Sequence, residues 1–125
     1  MKKTSLYNEH VNLKAKIVDF AGYQMPIQYS GIIQEHLAVR KSCGIFDVSH
    51  MGRFKISGRD TIPFLQHVLS NNVESLEEWK AHYTLIPNKN GGIIDDLLVY
   101  KKEYDFMLVV NATNIEKDFT RIQIL

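Results

Sequence analysis

The sequence predicts an α+β fold in which helices cover one face of a mostly antiparallel sheet. At 125 residues the chain has the usual size of one domain, and 45% hydrophobic with 23% charged residues is an ordinary globular composition. From Arg53 onward the residue patterns follow one another as strand, helix, antiparallel meander and final helix. This order is typical of an α+β domain with a packed core.

Charge, cysteine content and hydropathy exclude several classes of protein. Fifteen Lys plus Arg against fourteen Asp plus Glu give a net charge of +1, so no overall field favours nucleic acid or an acidic membrane. Cys43 is the only cysteine, which excludes an internal disulfide and fits a reducing compartment. The basic start Met1–Lys3 precedes no apolar run, and nothing approaches the roughly 18 apolar residues of a membrane span. We therefore expect a cytoplasmic protein.

The first third of the chain has the less regular pattern. Residues 5–29 are mixed and predict short pieces of helix and loop. The turn formers that punctuate this stretch are Gly22, Pro26 and Gly31. From Ser30, a possible N-cap, residues at helical spacing predict a helix with Gly44 as its stop. The residues at that spacing are Ile32, Ile33, His36, Leu37 and Arg40. We expect residues 45–47 to form a short strand.

A strand and a helix are predicted next. Residues 53–56 alternate polar and apolar side chains and are closed by Ser57 and Gly58, which indicates a half-buried strand. Asp60 can cap a helix that reaches about residue 69, because Pro63 falls in its first turn, where a missing N–H costs nothing. The apolar face of this helix consists of Phe64, Leu65, Val68 and Leu69.

The last third predicts an antiparallel meander and a helix. Strands are expected at residues 82–86 and 93–100, and the turn formers between them indicate that the two pair as a hairpin. A third strand is expected at residues 106–111. A helix then begins near Asn114 and runs to the end of the chain. That end is the apolar stretch 122–125, which suggests that the sequence continues in the intact protein.

Two adjacent aspartates are the first candidates for chemistry. Asp95 and Asp96 lie in an otherwise apolar run, where burying a carboxylate is costly unless a partner compensates it. Successive strand side chains point to opposite faces, so the two carboxylates cannot chelate one metal ion together. The residues on the face of Asp96 are Ile94, Leu98 and Tyr100; those on the face of Asp95 are Ile93, Leu97 and Val99. Either acid could instead be structural, capping a turn or pairing with a lysine.

Other familiar catalytic motifs are missing from the sequence. The histidines lie apart without an HxxxH or CxxC frame, so a zinc site is not expected. No Gly-x-Ser-x-Gly elbow accompanies Ser49 and His50, and the doublet at residues 91–92 lacks the later glycine and lysine of a phosphate cradle. Four tyrosines could line a pocket for a flat heterocycle, although aromatic residues in strands usually belong to the core. They are Tyr23, Tyr29, Tyr83 and Tyr100.

Several segments resemble the glycine cleavage T protein family, in the family's order and across almost the whole chain. The two most specific are Phe46–Gly52 (FDVSHMG) and Gly91–Leu97 (GGIIDDL), which are too long for chance agreement. The other segments are Thr4–Tyr7, Phe20–Pro26, Glu35–Arg40, Leu98–Tyr100 and Val110–Asn114. Position 23 departs modestly, because the family motif usually has tryptophan where this chain has Tyr23.

The resemblance implies a tetrahydrofolate-dependent aminomethyltransferase. Such an enzyme takes the aminomethyl group on the lipoyl arm of H protein and passes its methylene carbon to tetrahydrofolate, releasing ammonia. The acid that matches Asp96 is implied to contact the reacting side of the pterin. An ionised carboxylate there could orient the folate amine and stabilise developing positive charge. Its neighbours Ile94 and Leu98 are expected to keep water scarce and so strengthen that interaction.

The same family match suggests four further folate-binding residues. Met51 offers a polarizable apolar contact, Tyr83 and Tyr100 offer stacking or edge surfaces, and Asn111 offers a donor and an acceptor. Asp95 is expected to be structural.

The main departure from the family is length, since its members are much longer. Their fold is a three-domain cloverleaf, on which residues 1–53 would be an incomplete first domain and residues 54–125 most of the second. We therefore expect the isolated chain to be inactive or very weak. Two alternatives stay open: a non-catalytic folate-binding relative that serves RNA modification or iron-sulfur maintenance, and a shortened chain whose sole property is assembly.

Overall fold

The computed structural model describes residues 1–123 and divides the chain into two compact units, Met1–His50 and Met51–Leu125. The predicted α+β class is confirmed, because both units combine helices with sheets that are largely antiparallel. Across residues 1–123, each helix is too short or too polar to span a lipid bilayer.

The first unit contains three strands and two helices. In chain order they are β1 (Lys2–Lys3), α1 (Tyr7–Asn12), β2 (Lys16–Phe20), β3 (Tyr23–Gln28) and α2 (Ile32–Lys41). The strand order is β1-β3-β2, with β1 parallel and β2 antiparallel to the central strand β3. A β-hairpin therefore forms the centre of this unit.

The expectation of helix and loop throughout residues 5–29 was wrong for the β2–β3 hairpin. Ala21 and Gly22 connect its strands with φ angles of 54° and 78°, a left-handed pair that matches the twist of a tight hairpin. Alanine seldom adopts this conformation, so the turn lacks the usual sequence signal. Pro26 is tolerated because β1 pairs only with Tyr23 and Gln24, which leaves one side of β3 without a partner strand at the proline.

The predicted helix after Ser30 is confirmed as α2, but its ends differ from the prediction. Instead of a serine cap, Glu35 Oε1 accepts the backbone N–H groups of Tyr29, Ser30 and Gly31 at 2.7, 2.8 and 2.9 Å. The helix ends at Lys41, three residues before the glycine expected to stop it.

The strand expected at residues 45–47 was wrong. Residues 43–48 have no regular secondary structure, and the side chains of Ile45 and Phe46 are exposed. The side chain of Asp47 organises this segment instead, because it accepts hydrogen bonds from Thr4 and from the backbone N–H of Ser49. Side-chain hydrogen bonds of Asp47, and not strand pairing through the backbone, thus hold this segment in place.

The second unit matches its predicted elements closely. In chain order they are β4 (Gly52–Ile56), α3 (Thr61–Val68), β5 (Ala81–Pro87), β6 (Ile93–Lys101), β7 (Phe106–Val110), a 3₁₀ turn (Ala112–Asn114) and α4 (Ile115–Gln123). The four strands form an antiparallel sheet in the order β4-β7-β6-β5. The strand-helix step, the hairpin and the meander are confirmed. The predicted extension of the last helix over Ile124 and Leu125 lies outside the described residues.

One face of this sheet builds the core. Residues of α3 and of the segment after it pack on side chains of β5, β6 and β7 that alternate inward. The fully or almost fully buried members are Leu65, Val68, Leu69, Val73, Leu76, Ile86, Leu97, Val99, Phe106, Leu108 and Val110. Asp60 precedes α3 but makes no side-chain capping bond, because its carboxylate pairs with Arg59. The opposite face of the sheet carries the candidate site.

Candidate functional site

Asp96 lies on the exposed face of β6, and its backbone position is opposite Leu85 of β5. The neighbouring cross-strand pair on that face is Tyr83 with Leu98. Because strand side chains alternate, Tyr100 points to the same side. The sheet therefore groups Tyr83, Asp96, Leu98 and Tyr100 on one surface.

The surroundings of Asp96 are more open than the sequence suggested. The carboxylate was expected in water-poor surroundings provided by Ile94 and Leu98. Within this unit Asp96 is exposed, and Leu98 is 37% exposed, so these neighbours do not exclude water by themselves. The face nevertheless presents an acceptor-only group among apolar and aromatic side chains.

Two of the predicted ligand-binding residues, Tyr83 and Asn111, interact with Asp96. Tyr83 is 57% exposed, and partial desolvation together with the Asp96 carboxylate raises the pKa of its phenol. Asn111, which follows β7, donates from its amide nitrogen to Asp96 Oδ1 at 3.1 Å and to the Asp96 carbonyl at 3.0 Å. The amide thereby ties the side chain of Asp96 to the end of the next strand.

Met51 and Tyr100 lie at opposite ends of this face. Met51 precedes Gly52, the residue paired with Val110, and is therefore at the Asn111 end of the sheet. Tyr100 is paired with Ala81 and Met107 near the other end of β6, and both predicted residues are partly buried. Met51 and Tyr100 could thus contact separate parts of an extended ligand.

Asp95 points to the opposite face and is 6% exposed. Its Oδ1 accepts the amide N–H groups of Asn111 and Asn114 at 3.0 and 2.7 Å. Burial raises the pKa of Asp95, but its interaction with the neighbouring Asp118 and the hydrogen bonds from the two amides outweigh burial and hold the pKa below its usual value. Asp95 is buried and Asp96 is exposed, as strand alternation predicted, but one oxygen of each reaches the same Asn111 amide nitrogen.

Asp118 of α4 is a buried acid that the sequence analysis missed. It is 0% exposed and faces Asp95, and burial together with the Asp95 carboxylate raises its pKa to about 7. The helical spacing carried a signal that could have found it, because Asp118 falls between Ile115 and Ile122 on the apolar stripe of α4. An acid on that stripe must be buried.

The first unit contains a separate polar cluster. His10 is 5% exposed, and its Nε2 lies 2.8 Å from Asp47 Oδ2 while its Nδ1 lies 2.8 Å from the Tyr29 hydroxyl. Burial raises the pKa of Asp47, but hydrogen bonds from Ser49, His10 and Thr4 outweigh it and keep the pKa well below its usual value. An ionised Asp47 fixes the histidine proton on Nε2, so Tyr29 donates to Nδ1. The cluster fastens α1, the hairpin and the 43–48 segment together.

A mostly apolar cavity of about 670 Å³ lies beside this cluster in the first unit. Its walls come chiefly from α2 and the segment after it, and they include Ile32, Val39, Cys43, Ile45 and Phe46. Glu35, the main acid in its lining, is engaged by backbone N–H groups. The cavity therefore offers apolar surface more than catalytic groups.

No metal centre is found in the described part of the chain. Among residues 1–123, no three His, Cys, Asp or Glu side chains are grouped so that they could hold a metal ion.

Comparison with known proteins gives a consistent result. Residues 6–124 match the model of the GCVT N-terminal domain. The chain is 54% identical to an aminomethyltransferase of Prosthecochloris aestuarii over 98% of its length, and 48% identical to one of Thermus thermophilus over its full length. It covers 34% and 36% of those two proteins, so the chain spans about a third of the curated relatives it matches.

A solved structure agrees with the sequence matches. The crystal structure of glycine cleavage system aminomethyltransferase T from Bartonella henselae superposes with a TM-score of 0.91 at 36% identity. The match covers 98% of this chain and 34% of that protein. Both units of the chain thus have counterparts in the solved structure.

Proposed function

The chain belongs to the aminomethyltransferase family of the glycine cleavage system, and on this premise we propose that it takes part in one-carbon transfer to tetrahydrofolate. In the proposed reaction the methylene carbon forms two C–N bonds to the folate, while its C–S bond to the lipoyl arm of H protein and its C–N bond to the amine break. The products are methylenetetrahydrofolate, ammonia and a dihydrolipoyl arm. Because the chain spans about a third of its relatives, activity is proposed for the intact protein and not for these 125 residues alone.

The observation that carries the proposal is the placement of Asp96. It is an acceptor-only carboxylate on a sheet face with two tyrosines, and Asn111 holds its Oδ1 at 3.1 Å. A pterin has a flat aromatic surface and several N–H donors, which suit stacking on tyrosine and hydrogen bonding to a carboxylate. The residues of this face therefore fit the proposed ligand class.

In the proposed mechanism, folate supplies the nitrogen nucleophile that receives the carbon, and the chain supplies orientation and charge. Asp96 accepts an N–H of the folate and stabilises positive charge that develops as the carbon is delivered. Tyr83 and Tyr100 flank the ring, and Met51 adds an apolar contact at the Asn111 end. The side-chain amide nitrogen of Asn111 already donates to Asp95 and Asp96. Its side-chain carbonyl oxygen is therefore the atom that accepts a hydrogen bond from the ligand.

Exclusion of water is assigned to residues outside this chain. Asp96 and Leu98 are exposed within their unit, whereas electrostatic stabilisation is strongest in a dry site. We therefore assign the cover of this face to the remaining two thirds of the intact protein. By family analogy, residues 1–53 contribute to a first domain and residues 54–125 to a second. We also propose a cytoplasmic location, which fits a chain with a single cysteine.

The test uses the intact protein as its natural reading frame encodes it. Folate-dependent ammonia release from aminomethylated H protein is compared between the wild type and Asp96→Asn, which keeps the side-chain volume and removes the charge. We expect kcat to fall about 10²- to 10³-fold, as when one preorganised electrostatic group is removed. Asp60→Asn is the matched control, because the side chain of Asp60 is 74% exposed and remote in sequence from the face.

Two results would contradict the proposal. An unchanged rate in Asp96→Asn would remove Asp96 from the chemistry. Folate binding without H-protein-dependent turnover in the wild type would instead place the protein with non-catalytic folate-binding relatives.

A further inference from the structure

Three carboxyl groups meet where β6, the 3₁₀ turn and α4 come together. Asp96 lies on the exposed face, whereas Asp95, the residue before it, is buried. Asp118 of α4 is 0% exposed and interacts with Asp95. The proposed transfer reaction makes no direct use of Asp95 or Asp118.

The hydrogen bonds distinguish the two buried acids. Asp95 Oδ1 receives two amide N–H groups, from Asn111 and Asn114, which favour an ionised carboxylate. Among residues 1–123, three oxygens of this pair have no N–H or O–H donor. They are both carboxyl oxygens of Asp118 and the second oxygen of Asp95. Two facing carboxylates in a core would repel each other, whereas one shared proton removes that repulsion and pairs one Asp118 oxygen with the second oxygen of Asp95. Asp118 is therefore the acid that holds the proton.

Asn111 connects this buried pair to the exposed face. A single amide nitrogen donates to Asp95 Oδ1 at 3.0 Å and to Asp96 Oδ1 at 3.1 Å. Any rotation of Asp95 toward or away from Asp118 must move the acceptor that fixes this amide. The orientation of Asp96 is thereby coupled to the state of a carboxyl group on another element.

We propose that Asp118 is a positioning residue: its protonated carboxyl donates to Asp95, and Asp95 in turn holds the Asn111 amide against the Asp96 carboxylate. This inference rests on the proposed function, because the orientation of Asp96 affects a rate only if Asp96 contacts the folate. Asp118 itself touches neither the folate nor the reacting atoms.

The arrangement makes the orientation of Asp96 sensitive to pH near neutrality. The charged groups that act on Asp118 are Asp95 and Asp96 of β6 and Lys117 of its own helix, and the first two oppose its ionisation. Lys117 favours ionisation, but its ammonium group donates to the Ile94 carbonyl at 2.8 Å. Above about pH 7 the shared proton is lost and the two buried carboxylates repel. Asp95 then no longer holds the Asn111 amide in one place, and the amide keeps only its bonds to Asp96.

Kinetics of the intact protein test the coupling. Asp118→Asn carries an amide N–H that can donate to Asp95 at every pH, so it mimics the protonated acid. We compare kcat one unit below and one unit above pH 7. Over this range the wild-type kcat should fall about tenfold relative to that of Asp118→Asn. The KM for folate should change less. Asp118→Ala, which has no donor, should be slow at both pH values. Asp60→Asn should follow the wild type.

Infrared spectroscopy gives a readout that does not depend on activity or on any variant's folding. A protonated carboxyl has a C=O stretching band distinct from that of a carboxylate. We expect such a band in the wild type about one unit below pH 7, and its loss about one unit above. The band should be missing from Asp118→Asn at both values.

The outcomes separate this inference from the proposed function. If Asp96→Asn leaves turnover unchanged, the proposed function fails and the positioning role fails with it. If Asp96→Asn is strongly impaired but Asp118→Asn reproduces the wild-type pH profile, the positioning role alone is refuted. A wild-type spectrum without the protonated carboxyl band refutes it as well, whatever the variants do.

Discussion

Replacing Asp118 by asparagine should change the pH dependence of stability in a defined direction. The pKa of Asp118 is about 7 in the folded chain and 3.8 by its ordinary value, so the folded state holds the proton more tightly. For an acid with a raised pKa, stability is greatest below the unfolded value and falls as pH rises toward the folded one. The difference of about 3 pH units corresponds to roughly 4 kcal/mol, all of it lost between about pH 4 and pH 7.

Asparagine removes this dependence, since it cannot ionise and can still donate to Asp95. Wild type and Asp118→Asn should be about equally stable near pH 4, and the variant should be more stable by up to about 4 kcal/mol above pH 7. The lowered pKa of Asp95 adds stability that is lost only as pH falls below its ordinary value of 3.8, so the difference expected between pH 4 and pH 7 comes from Asp118.

Native-state hydrogen exchange measures this quantity locally. The opening free energy of amides in β6 and β7, corrected for intrinsic exchange at each pH, reports the stability of the sheet that contains the acid pair. Asp60→Asn serves as the control because it alters an exposed acid. Equal opening free energies for wild type and Asp118→Asn from pH 4 to pH 8 would refute a shared proton at this position.

Two further substitutions test local packing and capping. Gly52→Ala would place its Cβ 2.6 Å from a methyl group of Val110 and 2.7 Å from Ile115. We therefore expect the free energy of unfolding, measured in urea, to fall by about 1–3 kcal/mol. An unchanged unfolding midpoint would contradict the close approach of β4 and α4. Glu35→Gln weakens the hydrogen bonds that Glu35 accepts from three backbone N–H groups. The backbone amides of residues 29–31 should therefore exchange hydrogen faster than in the wild type. Equal exchange rates would show that the carboxylate does not hold this turn.

The second unit was predictable because its local signals agree with its burial. Residues 53–56 alternate in polarity, and β4 indeed has one face against the core. The hairpin of β5 and β6 has a polar, glycine-containing turn between two β-prone runs, which is a strong short-range signal. Sequence pattern and tertiary packing therefore led to the same assignment for these strands.

The first unit was less predictable because its turns depend on contacts that no local pattern encodes. Ala21 adopts a left-handed conformation, which costs a residue with a Cβ about 1–2 kcal/mol and is compensated only by the completed β2–β3 hairpin. Asp47 draws its segment away from strand structure through bonds to Thr4 and His10, which lie 43 and 37 residues earlier. Long-range hydrogen bonds of this kind cannot be inferred from periodicity.

The candidate site was likewise predictable only in part. Strand alternation was sufficient to predict that Asp95 and Asp96 face opposite sides, because the period of two is set by the backbone. The partner of Asp95 required the fold, since Asp118 is 23 positions later and meets it only when α4 packs on the sheet. The openness of the Asp96 face depends on which elements pack over it, and local composition carries no information about that.

A purely structural hydrogen bond to Asp95 would not require an ionisable donor. Asparagine at position 118 could satisfy the same acceptor without the roughly 4 kcal/mol that the buried acid costs above pH 7. What aspartic acid adds is a proton that can leave near neutral pH, together with a connection through Asn111 to Asp96. A variant that is more stable but whose transfer rate no longer responds to pH would separate these two contributions, and a variant that gains stability with an unchanged pH profile would assign the acid pair to the fold alone.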